Sequence, residues 1–298
     1  MRSLRAILWL SILPVTAAAQ APQWSDLWRV TATTLTGPAA LESGPTGIFW
    51  NAAAANDIPG LAGGVSVVQT PDVVGLSSIL AAVTRRIGPR LTVGGMAGRV
   101  AVQDLVRTTT SPASVPGDIP VYSQFVGVVA ATRVAGFELG AVAELHDAAL
   151  DAIRDGGLTT DLGIRWRPFH SLTLGAATHF AAPTLQSEPT TDYLAGLEWR
   201  FGRTMLWGAP AEFAARYGVA YRSPGGADQT FGAGMLLDGH FRLDWAWTRE
   251  RAYGVGSWRS AIAVGFRTGR YTIAIARGSG LNDIGANYRI GLDAGVLP

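Results

Sequence analysis

From Gly60 onward the chain alternates apolar residues with small or charged ones in long runs, and this pattern restricts its fold more than any other feature. Phe241, Leu243, Trp245 and Trp247 alternate with Arg242, Asp244, Ala246 and Thr248. Trp258, Ile262, Val264 and Phe266 alternate with Arg259, Ala261, Ala263, Gly265 and Arg267. A period of two puts successive side chains on opposite faces of an extended strand. Such runs predict about fourteen strands, at roughly 61–70, 73–87, 90–103, 121–134, 136–149, 157–168, 171–182, 191–202, 211–222, 228–238, 240–250, 257–268, 270–279 and 285–296. Strands of soluble proteins usually have about five or six residues, whereas a tilted strand needs about nine to eleven to cross a bilayer. Run length favours the bilayer.

The connections alternate as well. Even-numbered strands end in tight turns at Gly88-Pro89, Ala135-Gly136, Pro168 to His170, Gly239 and Gly269. Odd-numbered ones lead into longer stretches such as Asp104 to Pro120, Leu150 to Gly156, Pro183 to Thr190 and Ser223 to Ala227. Outer-membrane barrels have short periplasmic turns and longer external loops, so loop length there sorts by parity. Gly202 to Pro210 breaks the pattern as a longish turn on the short side, and Gln69 to Asp72 as a short loop on the long side.

The rest of the chain is consistent with export into a membrane. Arg2 and Arg5, the apolar run Ala6 to Val15 and the small residues Ala17 to Ala19 read as a signal peptide over 1–19, cleaved near Ala19. No later segment is a membrane helix, and hydrophobic residues make up 48% of the chain against 15% charged, where about 25% charged is usual. An apolar exported chain without membrane helices can live in lipid as a closed barrel. The absence of cysteine removes disulfides, thiolate metal sites and a lipidated cysteine. A formal charge of +2 with no clustered basic face gives no indication of nucleic acid.

An arginine facing lipid at mid-depth costs about 2–4 kcal/mol, so the charged face of the strands is expected to turn inward. That face carries Arg99, Glu138, Glu144, Arg165, Arg167, Glu198, Arg200, Arg216, Arg222, Asp238, Arg242, Asp244, Arg259, Arg267, Arg289 and Asp293. Both signs are present, which predicts a mutually paired, partly hydrated lumen. Arg165, Glu198, Arg200, Arg216, Arg242, Asp244, Arg259 and Arg267 are its main candidates.

Residues 20–59 precede the barrel at 60–298, and they carry turn formers together with Ile48, Phe49 and Trp50. Left in water, each of these three forgoes about 2 kcal/mol of burial. They are expected to bury in the lower mouth of the barrel as a plug or constriction. Ala52 to Ala55 would let the backbone approach the wall, and Asn51 could cap or bridge it.

Phe49-Trp50-Asn51-Ala52-Ala53 resembles the FWNPAGLA-type signature near the N-terminus of the FadL superfamily, and most closely its PorV/PorQ branch. Ala52 stands where the family usually has proline, and Ala54 where it has glycine. The resemblance implies about fourteen strands with an N-terminal segment tucked into the lumen. It further implies either a passive conduit for small hydrophobic molecules or an accessory barrel for secreted cargo in a type IX-like system. The final strand, Tyr288 to Val296, has the alternation expected of a terminal strand read by the barrel-assembly machinery.

Enzyme chemistry has little support. No Gly-x-Ser-x-Gly, His-Glu-x-x-His or Gly-x-x-x-x-Gly-Lys segment occurs. His146, Asp147, Asp151 and Asp155 lack the spacing of a dedicated calcium loop and read as a solvated external loop. The expectation is an all-β, transmembrane antiparallel barrel in an outer membrane, surrounded by lipid, with a short N-terminal plug and no cofactor, metal or catalytic residue.

Overall fold

The computed structural model describes residues 23–71, 75–105, 119–181, 191–222, 226–252, 255–280 and 285–296. The expected signal at 1–19, the whole Pro183–Thr190 connection and most of the Asp104–Pro120 and Ser223–Ala227 connections lie outside these residues. The strands are β1 Leu61–Gln69, β2 Leu76–Ile87, β3 Leu91–Val102, β4 Val121–Val134, β5 Phe137–Leu150, β6 Ile153–Phe169 and β7 Leu172–Ala181. They continue with β8 Asp192–Leu206, β9 Ala209–Arg222, β10 Gly226–Leu237, β11 Phe241–Ala252, β12 Val255–Thr268, β13 Tyr271–Ser279 and β14 Ala286–Val296. All fourteen close into one antiparallel barrel in which each strand pairs with its neighbours in sequence and β1 pairs with β14. Closure satisfies every ladder and leaves no open edge, the condition for a sheet to sit in lipid.

Alternation decides the two faces. Val128 and Leu145, near the middle of β4 and β5, are 66% and 61% exposed, while Val100 and Glu144 on inward positions are fully covered. A broad surface of exposed valine, leucine, isoleucine and tryptophan is what lipid, rather than water, tolerates.

Every even-numbered connection is a tight turn. This includes β8 to β9, where Trp207 and Gly208 take positive φ of 52° and 81°. The longish turn expected at Gly202 to Pro210 is therefore a correction: both strands extend toward it and the turn end is uniform. The other end, the loop end, is uneven. β5 passes to β6 through Asp151 (φ 55°) and Ala152 alone, so the loop expected over Leu150 to Gly156 is strand. The ladder holds these polar residues extended although they lack apolar alternation.

Two further expectations change. Arg99 points outward, because the inward positions of β3 are Thr92, Gly94, Met96, Gly98 and Val100, and it bonds Gln124 Oε1 at 2.9 Å. His146 lies inside β5 with its side chain buried in the barrel, not in a solvated loop.

Candidate functional site: a plugged lumen

The residues ahead of β1 fill the barrel. Helix α1, Gln23–Thr31, is followed by the short 3-10 turns Ala32–Thr34, Ala39–Leu41, Thr46–Phe49 and Ala52–Asp57. Pro38 and Pro45 interrupt longer helix, since proline supplies no N–H and clashes with the preceding turn. The result is a compact, bent rod running from the loop-end half of the lumen to the turn end.

The wall is stripped bare where the rod passes. A Cβ on Gly98 would lie 2.7 Å from Trp28 Cη2, one on Gly175 2.7 Å from the Ala40 carbonyl oxygen, and one on Gly218 2.5 Å from Pro38 Cβ. On Gly140 and Gly163 it would run into the Ala52–Ala53 backbone. Alanines on the plug thus meet glycines on the wall, and the two backbones touch.

Asn51 joins two turns of the plug. Its Oδ1 accepts from the Ala53 N–H at 2.9 Å, capping the last 3-10 turn. Its Nδ2 donates to the Ala40 carbonyl at 2.5 Å, tying two turns of the plug together.

Phe49 is the hub of a buried aromatic cluster. It lies 5.0 Å from Trp28, 4.9 Å from Trp50, 5.3 Å from Phe125, 4.6 Å from His179 and 6.0 Å from Phe180, measured between ring centroids. Trp28 Nε1 donates to Ser123 Oγ at 3.0 Å. Ile48, Phe49 and Trp50 are all buried, but the lower mouth expected for them is a correction. Phe125 lies near the loop-end start of β4 and His179 near the loop-end finish of β7, and their ring partners draw the cluster to that half.

Phe180 was not legible as part of this site. Alternation along β7 assigns it to the lipid face, yet it has φ 59° and is buried. A register shift between β6 and β7 at Thr160 and Leu162 accompanies the inversion. Asp161 holds the inverted residue: Oδ1 accepts the Phe180 N–H at 2.7 Å while Oδ2 engages His179 Nδ1. Beside it, His146 Nε2 contacts Glu144 Oε2 at 2.9 Å and Thr159 Oγ1 at 2.8 Å.

The expected lumen charges fall into two groups. Arg165, Glu198, Arg216, Asp244 and Arg259 are sheltered, whereas Arg200, Arg242 and Arg267 are exposed toward the turn-end rim. Arg216 bridges two sheltered carboxylates, with Nε 2.6 Å from Glu198 and Nη1 2.7 Å from Asp244. Glu198 also pairs with Arg200 at 2.8 Å, and Asp244 with Arg242. Other wall charges hold the plug. Arg165 reaches Asp57 at 2.5 Å, Arg167 reaches Asp57 at 2.6 Å, and Arg259, paired with Glu250 at 2.6 Å, donates to the Ala32 carbonyl. Plug and wall exchange roles at the loop end, where Arg29 of α1 meets Asp192 of β8 at 2.6 Å.

A cavity of about 30 Å³, room for about two waters, remains between Leu35–Ala39 of the plug and Leu194, Gly218, Thr248 and Arg259 of the wall. No group of three or more histidines and carboxylates is arranged to hold a metal ion among the described residues.

Solved structures share this architecture. The toluene transporter TodX of Pseudomonas putida aligns over 88% of this chain and 95% of its own, with TM-score 0.55 and 11% identity. The toluene transporter TbuX of Ralstonia pickettii aligns over 89% of this chain and 100% of its own, with TM-score 0.55 and 12% identity. The chain shares the fold of these transporters. At such low identity the likeness is one of fold alone. No family model matches the sequence, and no curated protein does.

Proposed function

We propose that this barrel is a passive outer-membrane conduit for small hydrophobic molecules, exported by a signal cleaved near Ala19 and gated by its N-terminal plug. The observation that carries the reading is the shared aromatic cluster. Trp28, Phe49 and Trp50 come from the plug, Phe125 and Phe180 from the wall, and together they make an apolar region inside an otherwise charged lumen. An apolar solute replaces those ring contacts at small cost if the plug shifts, whereas an ion would meet no hydration there. Two solved barrels that share this fold are toluene transporters, which supports a solute of that size and class.

The test is uptake of toluene into liposomes holding the purified protein. Deleting 30–58 should raise flux several-fold, and Trp50→Ala should change it measurably. Flux indifferent to both changes contradicts the conduit. It would favour the other reading, a secretion or surface-attachment accessory whose barrel is only a platform.

A further inference from the structure

Among the described residues, every charged side chain facing outward on β10 to β14 is an arginine, and each lies near the loop end. Arg249 and Arg251 stand three residues and one residue before the end of β11, and Arg277 stands two residues from the end of β13. Cross-strand pairs share a face: Arg249 pairs with Trp258, and Arg277 pairs with Ile262 on one side and Tyr288 on the other. All three arginines are exposed. With β12 alone between their strands, they lie roughly 10 Å apart across the strands, and Arg249 is level with Trp258 where Arg277 is level with Ile262, about 13 Å further along β12.

Beyond them toward the turn end the wall is apolar, with Val264, Ile273, Ile275 and Ile290 all exposed, while Ile262 stands level with Arg277. The arginines therefore mark the upper border of the lipid-facing band, where Trp258 and Tyr288 fit headgroup depth. Inside the barrel, Arg216 and Arg259 meet carboxylates, but no carboxylate shares the outer face of β10 to β14 among the described residues. The opposite wall differs. There Arg99 and Arg154 are joined through Gln124 and Tyr122 to Asp147, so a carboxylate shares the outer face with them.

We infer that the loop-end face of β11 to β13 binds the phosphate groups of an anionic lipid in the leaflet on that side. Guanidinium forks match phosphate oxygens in pairs, and three of them on an apolar wall need an anion that also carries acyl chains. A phosphorylated glycolipid of the outer leaflet has both. The inference rests on the membrane reading of the barrel.

The test incorporates the full protein into phosphatidylcholine vesicles and measures retention of added lipid A after detergent extraction, against dephosphorylated lipid A. Wild type should retain the phosphorylated form at least about tenfold better, and R249Q/R251Q/R277Q should lose that preference. The control R85Q/R203Q, with both changes at the turn end, should keep it. Equal retention of the two lipids by wild type, or undiminished preference in the triple variant, overturns the proposal. Failure of wild type to enter phosphatidylcholine vesicles at all overturns the membrane reading, and the proposal with it.

Discussion

Arg165 of β6 reaches Asp57, the last residue of the plug's final turn, at 2.5 Å, and its side chain is 2% exposed. Its Nε and Nη2 find no other acceptor among the described residues, so Asp57 carries nearly all of its compensation. The pair closes the plug onto the wall just before the chain enters β1.

Asp57→Asn should therefore loosen the plug without unfolding the barrel. Breaking a buried pair on one side costs about 3 kcal/mol, because the remaining charge stays uncompensated. Limited proteolysis should cut within 23–58 several-fold faster. The double change Asp57→Leu with Arg165→Leu should recover part of that loss, a coupling that independent sites would not show.

Gly163→Val should expel the plug. Its side chain would occupy the space of Asn51 Oδ1 and the Ala52–Ala53 backbone. The expected result is a raised single-channel conductance with strand content unchanged by circular dichroism. Gly95→Ala points outward into ordinary contact, 3.6 Å from the Gly127 carbonyl oxygen, and should leave conductance as it was.

Val128→Arg should cost about 2–4 kcal/mol in refolding from urea into lipid vesicles. Val128 sits mid-strand on the outer face, opposite Gly95 and Ala143 on the neighbouring strands. The same substitution in a water-soluble barrel with an exposed valine would be nearly neutral, so the size of the effect reports the solvent.

Phe180→Ala should release the inverted segment of β7. The ring contacts Phe49 and His146 at 6.0 Å, and truncating a buried phenylalanine costs about 3–5 kcal/mol. A lower thermal midpoint, together with altered Trp28 and Trp50 fluorescence, would show that wall and plug are coupled here.

The strands were legible because lipid on one side and a packed lumen on the other impose a strict two-residue period along each wall. β4 runs over the expected 121–134, and the largest departures are at β2, β6 and β8. β6 starts early, at Ile153, because Asp155, Gly156 and Gly157 lie at the loop end, where no apolar face is required and only the ladder reveals the strand. Arg99 was misassigned because polar outward residues are tolerated near that border, where Gln124 and Tyr122 receive it. Phe180 was hidden for a different reason: a positive φ at one residue inverts its side chain, and no local pattern announces it. The seat of Phe49 depended on rings at positions 28, 125 and 180, brought together only by closure of the barrel.

The most direct measurement uses the absence of native cysteine. Single-cysteine variants at each position from Ala261 to Phe266 would carry spin labels in reconstituted bilayers, with oxygen and a water-soluble nickel chelate as relaxants. Apolar outer faces predict high oxygen accessibility at Ile262, Val264 and Phe266 and low values at Ala261, Ala263 and Gly265. Uniform accessibility along the strand, or the opposite phase, would contradict a barrel that turns its oily side chains to lipid.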